Sequence, residues 1–268
     1  DDVFKHLEKI KRLKVAGVFS HFVQAEDWPS LDGRSLKQLH GFKKISESFD
    51  QFLKLNPDLK ATAQYVKHLS SSKALNDQGY SSDLNQLLTE FGLRPGLGLY
   101  GISQNNKNLK SVLALKAPIV DVKWCKAGET VSYDGVWQAQ RESLIATLPL
   151  GYGDGYPRAL TGQSFVLIDG KKAPVVGKVC MDFIMVDLTD LALLPGGGDL
   201  SSPHASDLKK THFELLAADW MSKEALVFGD QSLDKDLTIE SLAAKAGLIT
   251  YEFMVRLSPR LQRRTVGL

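Results

Sequence analysis

The sequence predicts two regions of different class, three strand/helix units of α/β type followed by a mainly antiparallel β domain. Two observations predict this. Up to about residue 105, short apolar runs alternate with segments of helical period. From Ser111 onward, strand-like runs follow one another across Gly- and Asp-rich turns. With 268 residues, 43% of them hydrophobic, the chain can bury a real core and is neither disordered nor a mini-protein. The change of pattern places a domain boundary near residues 105 to 112.

In the first region, Val15 to Ser20 reads as a buried strand. Leu36, Leu39, Phe42, Ile45, Phe49 and Phe52 then recur at three- and four-residue steps and predict one helix stripe. Asn56-Pro57-Asp58 breaks that helix, and Lys60 to Tyr65 is a weaker strand running into the loop His68 to Ser72. A second helix is expected near Leu84, Leu87, Leu88 and Phe91, and a third strand over Leu97 to Ile102. A sheet of only three parallel strands would leave edges and faces uncovered, so this region reads as incomplete.

The second region offers strands at Val112 to Val122, Ser143 to Leu150, Ser164 to Ile168, Ala173 to Cys180 and Phe183 to Leu188. The stretch from Pro195 to Asp219, opening Pro-Gly-Gly-Gly, is expected to loop out. A short helix follows Thr238, with Thr238 or Asp236 as N-cap and Gly247 past its end.

Composition excludes several classes of function. Thirty-three Lys and Arg against 31 Asp and Glu give a net charge of +2, with no field suited to nucleic acid or an anionic membrane. No run approaches the roughly 18 to 20 apolar residues of a membrane helix, and the first residues lack the order of a secretory signal, so a cytoplasmic location is expected. The two cysteines, Cys125 and Cys180, have no neighbouring Cys or His at metal-ligand spacing and read as buried thiols.

Five segments carry residues suited to chemistry. Gly151-Tyr152-Gly153-Asp154-Gly155-Tyr156-Pro157-Arg158 follows an apolar run, so it is either a loop presenting a side chain into a cavity or a plain surface turn. In Leu93-Arg94-Pro95-Gly96-Leu97, Arg94 can donate to a ring nitrogen or carboxylate, or simply form an ion pair at a strand end. Met181, between two β runs, reads as a core residue by itself. His21 and His68 fall at successive strand ends, where α/β barrels build active sites, although a structural histidine is the alternative.

Taken in order, these segments resemble the alanine racemase family. Ser20-His21-Phe22 with Ala25-Glu26-Asp27 is similar to that family's Thr-His-Phe-x-x-Ala-Asp. His68-x-x-Ser71-Ser72-Lys73-Ala74 is similar to its His-x-x-Asn-Ser-x-Ala. Arg94-Pro95-Gly96-Leu97-x-Leu99-Tyr100-Gly101 and Ser132-Tyr133 follow. Gly151-Tyr152-x-Asp154-Gly155-Tyr156-x-Arg158, Gly177-x-Val179-Cys180-Met181-Asp182 and Tyr251-Glu252 complete the series. Ser71 in place of the usual Asn, the Arg263-Arg264-Thr265 tail and a longer stretch after Pro195 depart from the pattern.

The resemblance implies a fold: residues 1–108 as the final three strand/helix units of a partial TIM-type barrel, and residues 109–268 as the family's carboxy-terminal β domain. It implies pyridoxal 5'-phosphate as cofactor, L- and D-alanine as substrates, and a homodimer whose active sites are shared between subunits. The product, D-alanine, would supply cell-wall peptidoglycan. By resemblance Tyr152 is the base for the L-alanine face, with His21 and Arg94 favouring its anion and Arg94 meeting the pyridine nitrogen. His68, Ser72, Gly96, Leu97 and Tyr251 are implied to bind the cofactor, and Met181, through its backbone N–H, and Asp182 to bind substrate. The family's Schiff-base lysine motif, Val-Lys-Ala-Asn-Ala-Tyr-Gly-His-Gly in type, has no counterpart here, and Lys116-Ala117 is only an echo on the wrong element. The reading is therefore of the carboxy-terminal two-thirds of a racemase, inactive alone. A non-catalytic dimerisation fragment and a broad-specificity or serine racemase of the same fold are the alternatives.

Overall fold

The computed structural model describes residues 2–10, 14–23, 33–59, 65–71, 90–102, 108–191 and 206–266. Contacts divide the chain into Asp1–Lys110 and Ser111–Leu268.

The amino-terminal unit contains a three-stranded parallel sheet in the order β1 (Gly17–Phe19), β2 (Val66–Ser71), β3 (Gly92–Arg94). Helix α1 (Asp2–Lys9) precedes it and α2 (Arg34–Leu55) connects the first two strands. Helix α2 forms because its apolar residues return at helical period, burying Leu39, Phe42, Phe49, Phe52 and Leu53. Ile45, expected on the same stripe, is 61% exposed, and Ser46 takes the buried place one residue on. Two clusters follow from this stripe. Leu39 and Phe42 pack with Phe22, Leu69 and Phe91, whereas Phe49, Phe52 and Leu53 pack with Leu59.

Register assigns the faces of this sheet. Phe19 pairs with His68, and His68 with Gly92. Alternation therefore puts Phe19, His68 and Arg94 on one face, while Leu69 turns to the helix-covered face and is fully buried. Two expectations need correction. Leu97–Tyr100 is a 3-10 turn, and the strand is the preceding Gly92–Arg94. The glycines at 96, 98 and 101 explain this, because they weaken extended pairing and permit a tight turn. The loop expected from His68 is instead part of β2, which runs to Ser71; residues 60–64 of the weak strand expected before it, and the helix expected near Leu84, lie outside the described residues.

In the carboxy-terminal unit seven strands form one antiparallel sheet. Its order is β4 (Leu115–Pro118), β12 (Glu224–Phe228), β9 (Phe165–Ile168), β10 (Lys171–Val176), β11 (Ile184–Asp187), β8 (Ser143–Leu148) and β5 (Asp121–Cys125). Only Ile119 and Val120 separate β4 from β5, yet these strands are the sheet's two edges. The sheet therefore curls until its edges nearly meet, with Ile119 N–H donating to Lys223 O and Val120 N–H to Thr147 O. That curl encloses the core, and Leu144, Ile145, Ala146 and Leu148 of β8 are all fully buried. A two-residue Asp169-Gly170 turn, positive in φ at both positions, joins β9 and β10. The small ribbon of β6 (Thr130–Val131) and β7 (Trp137–Gln138) stands apart from the large sheet.

The single run expected from Val112 to Val122 is thus two strands. The stretch expected to loop out ends in a helix, α3 (Ser206–Met221), which buries Ala217 and Trp220 and sets Phe213 against Trp124. Helix α4 (Ile239–Lys245) starts as expected, with Thr238 Oγ1 accepting from Ser241 N–H at 3.2 Å. Helix α5 (Thr250–Arg256) follows and buries Phe253 against Phe228. Among the described residues no helix is long and apolar enough to cross a membrane.

Candidate active site

On the exposed face of the parallel sheet, Arg94 gathers the two histidines. One Nη group contacts His68 Nδ1 and reaches His68 O at 3.4 Å. The other donates to Ser20 O at 2.6 Å and to His21 Nδ1 at 2.9 Å. A guanidinium has donors only, so both Nδ1 atoms must accept, which fixes the proton of each ring on Nε2. The Phe19 ring stacks on His68 at 5.5 Å, and Arg94 lies 5.3 Å from the Phe19 ring centre. Gln38 on α2 holds the loop after β1, donating to Ser20 Oγ at 3.0 Å and accepting from Val23 N–H at 3.1 Å. Among the described residues the partners of Arg94 are imidazoles and carbonyls, not carboxylates. His68 lies inside β2 instead of at its end, because pairing with β3 continues to Ser71.

Gly96 and Leu97 stand at the amino end of the 3-10 turn Leu97–Tyr100, with Gly96 as its N-cap. Ser72 lies outside the described residues.

In the carboxy-terminal unit the glycine-rich loop does more than turn. After β8 it lies against the Cys180–Met181 backbone, where Tyr152 N–H donates to Cys180 O at 3.0 Å and Gly153 N–H to Met181 O at 2.8 Å. Glycine is required at 151, since a Cβ there would stand 2.3 Å from Met181 O. The Asp154 carboxylate is buried and ties the loop together. Its Oδ2 accepts from Gly151 N–H at 2.8 Å, and its Oδ1 from Arg260 Nε at 2.7 Å. Arg260 also donates to Asp182 Oδ1 at 2.7 Å, and these two bonds hold its guanidinium even further above its ordinary range.

The loop's two tyrosines have opposite fates. Tyr156 is buried, its hydroxyl 2.6 Å from Ser164 Oγ, and burial pushes its phenol up to about 12. Tyr152 is 48% exposed, in a depression it lines with Arg158 and Arg256. Met181, read from sequence as a core residue, is 54% exposed, because residues 180–183 form the turn between β10 and β11. Asp182 is taken up by Arg260, and Tyr251 lies half-exposed in the first turn of α5. Of the cysteines, Cys125 is buried and burial raises its thiol; Cys180 is partly exposed beside Ser132 Oγ at 3.3 Å. Among the described residues no group of three His, Cys, Asp or Glu could hold a metal ion.

The structure thus brings His21, His68 and Arg94 together in one unit, and Tyr152, Met181 and Asp182 together in the other. Sequence reading missed Arg260, whose partners stand 106 and 78 residues away. Only the carboxylates already present in the two motifs hinted that a cation was needed.

Residues 112–201 match the family described as Alanine racemase, C-terminal domain. Over 265 residues the chain is 33% identical to the alanine racemase of Clostridium novyi, covering 97% of this chain and 58% of that protein. It is 31% identical to alanine racemase 1 of Clostridium acetobutylicum, covering 98% of this chain and 58% of that protein. The alanine racemase of Streptomyces lavendulae superimposes with a TM-score of 0.68 at 27% identity, over 99% of this chain and 60% of that one. That of Bartonella henselae, with covalently bound pyridoxal phosphate, shares the fold at a TM-score of 0.65 and 24% identity, over 98% of this chain and 62% of that one. The chain spans 58% of the length of these two curated relatives.

Proposed function

Because this chain belongs to the alanine racemase family, we propose that it forms part of an enzyme interconverting L- and D-alanine with pyridoxal 5'-phosphate, in the cytoplasm and for cell-wall synthesis. One observation carries the reading. The Tyr152 loop lies against the Met181–Asp182 turn, so the residue assigned to proton transfer and the residue assigned to the substrate carboxylate share one rigid frame. In the same reading the three parallel strands are an arc of a TIM-type barrel. The protein is a homodimer, and Tyr152 and Met181 complete the partner's site.

The donor set of the amino-terminal unit fits the cofactor. Among the described residues the bonds made by Arg94 fall on its two Nη groups, and Nε–H is the guanidinium donor of a type suited to a pyridine nitrogen. The backbone N–H groups of Gly96 and Leu97 are neutral donors of a type suited to a phosphate, and the parts given to Ser72 and to Tyr251, a residue of the carboxy-terminal unit, rest on the family resemblance. His68 acts through Arg94. When bound, pyridoxal phosphate supplies the electron sink that makes an amino acid Cα–H removable.

This chain's residues then have separable tasks. Tyr152 Oη takes the Cα proton on the L-alanine face and returns one there in the reverse direction. Arg94, always protonated, donates a hydrogen bond without handing over a proton, which keeps the ring it meets a weaker electron acceptor. The Met181 N–H receives the substrate carboxylate, with Asp182 the next residue of the same turn. No lysine among these 268 residues is assigned the second proton-carrying role, so this stretch alone is expected to be inactive.

In the full-length, cofactor-loaded protein, Tyr152→Phe is expected to keep the cofactor's visible absorbance and lose racemisation by at least about 100-fold, the lower end of general-base effects. Turnover equal to the parent would reject the assignment.

A further inference from the structure

The feature that the proposed chemistry leaves unused is the guanidinium of Arg260. It bridges Asp154 Oδ1 and Asp182 Oδ1, both at 2.7 Å, and so joins the loop bearing Tyr152 to the turn bearing Met181 by side chains. It also lies over the loop's backbone, because a Cβ at Gly153 would stand 2.7 Å from its Nη2. Beneath it, the backbone bonds Tyr152 N–H to Cys180 O and Gly153 N–H to Met181 O set the same register. The residue preceding that arginine is a proline, and Ser258 N–H donates to Asp154 O at 2.9 Å, so the segment after α5 is anchored to the loop at two points.

We infer that Arg260 is a positioning residue that fixes the Tyr152 loop against the Met181–Asp182 turn, setting proton carrier and carboxylate contact by one guanidinium. The inference rests on the proposed racemase reading for its consequence, not for its geometry. Two converging carboxylates need a planar fork with separate donors, and arginine offers that fork where lysine offers a single point charge. The function of Arg260 is geometric: displacement of a reacting group by about 1 Å costs on the order of 100-fold in rate.

The test uses full-length, cofactor-loaded protein with Arg260→Met, Arg260→Lys and, alongside, Tyr152→Phe. Amide hydrogen exchange is measured first, before activity. Exchange at Tyr152 and Gly153 is expected to accelerate at least about 10-fold in Arg260→Met while β9 and β10 keep their protection, with Arg260→Lys between it and the parent. In turnover, kcat is expected to fall roughly 10- to 100-fold with KM within about threefold, and Arg260→Lys to recover part of it. Deuterium at Cα separates a positioning effect from general damage. If Tyr152's step has become slower, the isotope effect must rise with L-alanine as substrate and fall with D-alanine, whereas global loosening would move both alike. Unchanged exchange in the 151–155 loop overturns the inference, as does faster exchange with parental kcat and isotope effects. Should Arg260→Met not fold, the same readings on Arg260→Lys decide. Full turnover by Tyr152→Phe would overturn the racemase reading and this inference together; an inactive Tyr152→Phe beside a parent-like Arg260→Met removes this inference only.

Discussion

Replacing Asp154 with Ala should unfasten the glycine-rich loop, and the structure allows the cost to be worked out. Asp154 is buried, and its Oδ2 is the acceptor for Gly151 N–H at 2.8 Å. Truncation leaves that N–H without its partner. A hydrogen bond to a charged group contributes roughly 1.5 to 3 kcal/mol, and the ion pair with half-exposed Arg260 is screened and adds nothing that needs counting here. A loss of about 2 kcal/mol is therefore expected for Asp154→Ala. Asp154→Asn keeps a carbonyl oxygen for Gly151 and loses only the charged arm, so it should cost less than half as much. Urea unfolding followed by tryptophan fluorescence suits the measurement, because three of the four tryptophans, Trp124, Trp137 and Trp220, belong to the carboxy-terminal unit. Equal losses for Ala and Asn, or a loss for Ala below about 0.5 kcal/mol, would refute the assignment of Gly151 N–H as the bond that matters.

Other expectations follow from single contacts. Tyr156 has its phenol pushed up to about 12 by burial, above an unfolded value near 10. The folded state thus holds a proton that the unfolded chain releases; stability present below about pH 10 is lost as pH rises toward 12, and Tyr156→Phe should flatten that slope in urea midpoints. Ser132 sits at φ 68°, ψ −174°, a region favouring glycine, while its Oγ donates to Lys178 O at 2.8 Å. Ser132→Ala keeps the strain and loses the bond, so it should be less stable than Ser132→Gly by about 1 kcal/mol in the same assay. For Arg94→Lys, one ammonium with three donors at a single point cannot replace a fork that serves two imidazoles and two carbonyls, so imidazole nitrogen chemical shifts of His21 and His68 should both move; an unchanged spectrum would contradict the contact of Arg94 with both rings.

Helix α2 was legible because its pattern is local: apolar residues a turn apart must share a face whatever surrounds them. The strands from Ser143 to Leu188 were legible for a similar reason, bounded by glycine and aspartate turns. Errors arose where local preference was weak. The segment Leu97–Tyr100 is apolar enough for a strand, yet its glycines let a 3-10 turn follow β3. Helix α3 was hidden behind a glycine-rich opening that suggested a loop throughout.

The candidate site divides in the same way. Tyr152, Met181, Arg94 and the histidines could be singled out because each belongs to a short motif whose residue types and spacing are written contiguously. Sequence alone therefore determined the kinds of element, the family and the identity of the chemical groups. Only the tertiary structure decided that the β sheet curls until strands adjacent in sequence become opposite edges, that Arg94 donates to both imidazoles, and that Arg260 joins Asp154 to Asp182. Those facts depend on contacts between residues dozens of positions apart, and such contacts are set by the packing of the whole unit instead of any periodicity along the chain.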